Sequence, residues 1–133
     1  MPAHPVLQRI RLTLARSKEF PEGSSHYGYE LIAPLDHEGY LDVENWKMHR
    51  ADCTVRHFTE GRDDQFGMLV HKPGGKDHAR WVFDYDVKDA SDDEAGFSFG
   101  THRFAKGEYV SIRGTDGKLL TFAISAVEPL VPA

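Results

Sequence analysis

One cysteine, Cys53, stands in a chain of 133 residues. No intrachain disulfide can form, and four-thiolate zinc sites are excluded. A single thiol suits a reducing compartment. Basic clusters are missing too. No run of Lys and Arg is longer than two residues, and Lys+Arg 16 against Asp+Glu 21 leaves a formal net charge of −5. Non-specific nucleic-acid binding rests on basic patches that neutralise phosphates, so no nucleic-acid partner is expected. No apolar run approaches the roughly 20 residues that span a bilayer, and Met1 to Pro5 lack the basic start and apolar core of a secretion signal. The expectation is a cytoplasmic protein with no membrane partner.

Chemical signatures are equally sparse. The chain has no GxGxxG or GxxxxGK[ST] loop for phosphates, no HExxH or CxxC spacing for a metal, and no EF-hand order among its acidic residues. No cofactor and no metal are expected on that reading.

What the chain does have is alternation. Hydrophobic residues make up 40% and aromatic residues 11%, enough for a core, and they fall at period two in several runs. Ile10, Leu12 and Leu14 share a parity with Val6, while Arg9 and Arg11 take the other and Gln8 interrupts the apolar face. This predicts a first strand over 6–16 with one wet side. Arg9, Arg11 and Arg16 then form a basic ridge, solvated or ion-paired. Residues 20–28 are rich in breakers (Pro21, Gly23, Ser24, Ser25, Gly28) and predict a loop.

Tyr29, Leu31, Ala33 and Leu35 predict a second strand ending near an edge or bulge at Pro34. Asp36 to Gly39 turns the chain. Leu41 to Arg50 is ambiguous between two short strand pieces and a short helix capped by Asp42 that carries Val43 and Trp46 and closes one mouth of a barrel. The helix is the favoured reading. A meander follows, with strands over 53–60, 66–72 and 79–86, and Trp81, Phe83 and Tyr85 form one aromatic face. Residues 88–94 form an acidic loop. A strand from Gly96 carries Phe97, Phe99 and Phe104, and a final hairpin turns at Asp116-Gly117.

His-x-Phe-x-x-Gly-Glu-Tyr-Val-Ser-Ile over 102–112, then Asp-Gly, then Thr-Phe-x-Ile-x-x-Val over 121–127, resembles the strand–turn–strand of SH3-like and double-psi barrels. The resemblance implies a barrel and carries over no functional residue. With about seven strands at roughly 8–12-residue spacing, the expectation is one mainly β domain over 1–133. It would be a small antiparallel barrel, SH3-like or double-psi-like, or a two-sheet sandwich, with at most one short helix.

The eight histidines are the main chemical resource, since imidazole carries protons at neutral pH and binds metals. His57 and His71 sit on neighbouring strands and form a cross-strand pair if register permits. Cys53 and His57 share a face but lie roughly 13 Å apart, too far to bind one metal directly. Cys53 reads as a small core residue. His57, His71, His102, Trp81, Asp84 and Tyr85 are therefore the candidate ligand-binding residues, and no catalytic residue is named. Two function classes remain open. One is a non-enzymatic binding module for a protein partner or small ligand, acting through an edge or through 20–28 and 86–96. The other is a small enzyme or metal/ligand-binding barrel using a histidine/aspartate pocket. A homo-oligomer built on the aromatic face is a third possibility.

Overall fold

In the computed structural model the described residues are 7–18, 20–72, 80–85, 94–97, 99, 102–114 and 118–130, with backbone alone described at Arg80 and 94–97. Val6, residues 88–93 of the acidic loop, the Asp116-Gly117 turn and the Phe97 side chain lie outside them.

Eight strands follow one another: β1 (Leu7–Leu14), β2 (Ser24–Pro34), β3 (Thr54–Phe58), β4 (Gln65–Lys72), β5 (Arg80–Asp84), β6 (Glu94–Phe97), β7 (Tyr109–Arg113) and β8 (Leu119–Pro129). Each pairs antiparallel with its sequence neighbour, and β8 returns to β1 from Gln8↔Pro129 to Leu14↔Phe122. The protein is mainly β, and its ladder is a single antiparallel sheet closed in up-and-down order. It is not divided into the two facing sheets of a sandwich.

Alternation builds the interior as expected. Ile10, Leu12, Tyr29, Leu31, Ala33, Val55, Leu69, Phe83, Val110, Ile112, Phe122 and Ile124 are all buried. Leu7 is buried as well, on the parity read as polar, at the end of β1 where its carbonyl accepts from Leu130 N at 2.9 Å. The Trp81 and Phe83 face points inward and is core. The sixth strand stops at Phe97. Phe99 and Phe104 belong to the connection that follows, and pack edge to face at 5.2 Å beneath the barrel.

The strand directions sort the connections into two ends. One end holds the β2–β3 connection, in which a six-residue helix α1 (Val43–Met48) starts at Asp42 and is followed by a 3-10 turn, Arg50–Asp52. Asp42 caps it by accepting from Asn45 N at 3.1 Å and Asn45 Nδ2 at 2.8 Å. These hydrogen bonds to the charged form hold the Asp42 carboxyl below its usual range. Trp46 turns inward, donates from Nε1 to Leu69 O at 2.9 Å, and meets Trp81 edge to face at 5.6 Å. Arg50 covers the indole from outside at 4.6 Å. This end is plugged.

The other end is held differently. Residues Ser25 to Tyr27 bulge out of the β1 register, which jumps from Thr13↔Gly28 to Leu14↔Ser24. The segment read as a loop is thus largely strand with a bulge in it, since tertiary pairing overrides the breaker composition. Gly28 sits where the strands approach most closely: a Cβ there would lie 1.9 Å from Leu12 O and 3.1 Å from the Phe58 ring. Outside the bulge, Arg11 and Arg56 flank Phe58 at 4.6 and 5.1 Å, and both reach Glu30, at 3.7 and 3.8 Å. Arg56 also binds Asp64 at 2.9 Å. Arg11 of the expected basic ridge is therefore ion-paired. Among the described residues no helix is long and apolar enough to cross a membrane.

Candidate functional site

The bulge aims Tyr27 into the unplugged end, where the inner face supplies rings from four strands. Tyr27 lies near-parallel to Phe122 at 6.0 Å and edge-on to His57 at 5.6 Å. His57 stacks on Tyr29 at 4.3 Å, with 14° between the rings. Tyr29 in turn meets Phe122 edge to face at 5.1 Å and Phe83 at 5.1 Å. Phe20, from the β1–β2 connection, approaches Tyr27 at 6.3 Å. Together with Leu14, Ile112 and Leu120 these rings bound a cavity of about 840 Å³ that opens to solvent.

Its rim is polar and lopsided. Thr59, Glu60, Arg62, Asp63 and Gln65 all come from the hairpin joining β3 to β4, while Gly114 and Lys118 face them from the β7–β8 turn. The hairpin turns at Gly61, whose φ is 78°, and Arg56–Asp64 ties it to the outer face of the barrel. Aromatic walls beneath a largely charged and polar rim suit a small amphipathic ligand, and an eight-stranded barrel is about wide enough to hold one.

The candidate residues read from the sequence divide among several places. His57 lies in the cavity wall, 8% exposed, with Tyr85 beside it at 6.3 Å. The expected His57–His71 pair does not form, because register puts Gln65 opposite His57. His71 is six residues further along β4, roughly 20 Å of strand. It lies at the plugged end, 4.7 Å from Trp81 and 6.0 Å from Trp46. Burial first, and the Lys47 charge second, lower its pKa from the ordinary 6.5. His102 is in the β6–β7 connection at the same end, its N–H donating to Phe99 O at 3.4 Å. Asp84 has the parity opposite to Phe83 and lines a shallow outer groove with Thr54, Phe66 and Met68.

No histidine/aspartate pocket is assembled from these six, and no group of three potential metal ligands occurs among the described residues. Cys53 is fully buried, and burial pushes its thiol up to about 11, with Asp52 adding to the shift. A thiol held protonated in that way is a poor nucleophile.

Sequence reasoning named the segment 20–28 as a binding element without singling out Phe20 or Tyr27, and it missed the 59–65 rim. The parity of Tyr29 and Phe122 was visible, but the bulge that recruits Tyr27 depends on a partner strand and leaves no local signal. Set against known proteins, the chain matches no protein-family model, no curated protein and no solved structure.

Proposed function

We propose that this protein is a non-enzymatic binding barrel whose open mouth takes a small amphipathic ligand. The observation that carries the reading is the solvent-open cavity of about 840 Å³ walled by Tyr27, Tyr29, His57 and Phe122. Sites for small molecules are concave, largely apolar and fitted with a few polar groups, at volumes of about 300–1,000 Å³. A cytoplasmic setting fits the lone reduced thiol.

The test is a chemically broad fragment panel followed by amide and aromatic NMR shifts. Saturable shifts confined to Tyr27, His57, Gln65 and Phe122 support the reading. A panel that leaves those resonances unmoved sinks it.

A second reading, docking of a second copy of this chain on the outer face of β3–β5, draws on Phe66, which is 68% exposed beside Met68 and Asp84. Replacing Phe66 with Ser and measuring molecular mass in solution separates the two. A change of assembly state favours the outer face, and unchanged mass with intact ligand shifts favours the mouth.

A further inference from the structure

We infer that the mouth selects a compact ring-bearing molecule, which enters ring first and leaves its hydrogen-bonding group beside Gln65. This deepens the ligand-binding reading above and rests on it.

Depth is the first argument. The hollow part of the barrel runs from the Tyr29/Phe122 level to the rim at Ser24 and Lys118. Along β8 that is the four residues from Phe122 to Lys118, about 13 Å of strand, or on the order of 10 Å of height once strand tilt is allowed for. Below it Phe83, Phe99 and Phe104 fill the interior, and Trp46 and Trp81 stop the far end. An extended acyl chain needs the whole height of such a barrel, and here more than half is solid. A flat bicycle needs only the cup.

The second argument is the chemistry of the wall. Rings bind rings through offset or edge-to-face contacts at centroid separations of about 4.5–7 Å, which add to the area they bury. Tyr27, Phe122 and His57 offer both faces and edges; Phe122 and His57 rest on Tyr29 deeper in the core, and Tyr27 rests on the two of them. A flexible aliphatic chain gains no such contacts and loses more rotamer freedom on entry.

Orientation follows from the rim. Gln65 lies directly across from His57 on the inner face, so its amide stands at the upper edge of the aromatic wall. Its side chain is exposed and hydrogen-bonds no described residue. An amide presents two donors and an acceptor, and therefore meets a carboxamide, lactam or ring-nitrogen group equally well. Glu60 and Asp63 on one side and Arg62 and Lys118 on the other bring both signs of charge to the rim in equal number, and that balance favours a ligand without net charge.

Three probes test this on the intact chain by NMR titration: indole-3-carboxamide, indole and octanamide. The bicyclic carboxamide is expected to bind saturably, at least about tenfold more tightly than octanamide, which carries the same polar group. Gln65→Leu, an exposed site whose change leaves the fold intact, is expected to weaken indole-3-carboxamide about five- to tenfold and to leave indole unchanged, as loss of one hydrogen bond of about 1 kcal/mol does. Octanamide binding the cup as tightly as the bicycle would overturn the ring inference while sustaining the ligand-binding reading. Equal weakening of indole and its carboxamide by Gln65→Leu would overturn the orientation. Failure of the three probes together with the broad panel removes both readings.

Discussion

The two ends of the barrel are built from the same ladder and from similar side chains, yet one is solid and the other hollow. At the plugged end, aromatic residues meet a helix that crosses the opening: Trp46 reaches in, hydrogen-bonds Leu69 O and packs on Trp81 and His71. At the mouth, among the described residues, the rings meet one another and Leu14, Ile112 and Leu120, and the connections 15–23 and 59–64 line the rim. Rings with no cover among the described residues become a wall. What distinguishes core from binding site in this molecule is thus the connection overhead, since the strands carry inward aromatics at both ends.

That contrast can be broken most severely at Trp46. Trp46→Ala removes a buried indole and strands the Leu69 carbonyl, and is expected to cost about 3–5 kcal/mol in urea unfolding. The mouth counterpart, Tyr27→Ala, is expected to cost about 1 kcal/mol, because its ring is already half exposed and mainly ring contacts are lost. Comparable losses at the two sites would show that the mouth is as tightly packed as the plug. Between these in size falls Gly28→Ala. The added methyl clashes with Leu12 O, and a loss of about 1–3 kcal/mol is expected, with NMR shift changes centred on Tyr27, since the close approach and the bulge share the same register jump.

At the plugged end, stability is expected to respond to pH through two groups. Asp42→Ala removes the helix cap and should cost about 1 kcal/mol near neutral pH. The folded-state pKa of Asp42 is depressed, so its contribution is present above the unfolded value of 3.8 and is lost as pH falls toward the folded value. Urea midpoints of the parent and variant should therefore converge in acid.

His71 acts in a higher window. Its folded pKa is also lowered, so on acidification the unfolded chain takes up its proton first. Stability from this site falls below about pH 6.5 and levels off beneath the folded pKa. His71→Phe should reduce the stability difference between about pH 8 and about pH 5, by the smallest margin of these predictions. An unchanged difference would mean that His71 is not held neutral by the plug.

How much of this was legible in the residues varies by element. Tyr29, Leu31, Ala33 and Leu35 revealed their buried face because side chains in a strand alternate, whatever the strand pairs with. Asp42 revealed a helix start because capping is local chemistry. His57 and Val55 were placed on the inner face by the same alternation, whereas Cys53, expected to share that face, precedes the strand and is buried at the end of the 3-10 turn. The His57–His71 pairing failed because neighbouring strands fix only proximity. Register, set by the hairpin at 59–64, brings Gln65 across from His57 instead. Tyr27 stayed hidden because its segment, read by itself, has the composition of a loop.

The sequence by itself determined the antiparallel β character and the inward faces of most strands, and it favoured a helix capped by Asp42 over two strand pieces, since each rests on interactions spanning a few residues. Tertiary structure alone decided that β8 closes on β1, that register separates the candidate histidines and that a bulge opposite Leu14 turns Tyr27 into the mouth. Those outcomes depend on pairing between residues far apart in the chain. Packing over the whole barrel fixes such pairing, and nothing in a local window reports it.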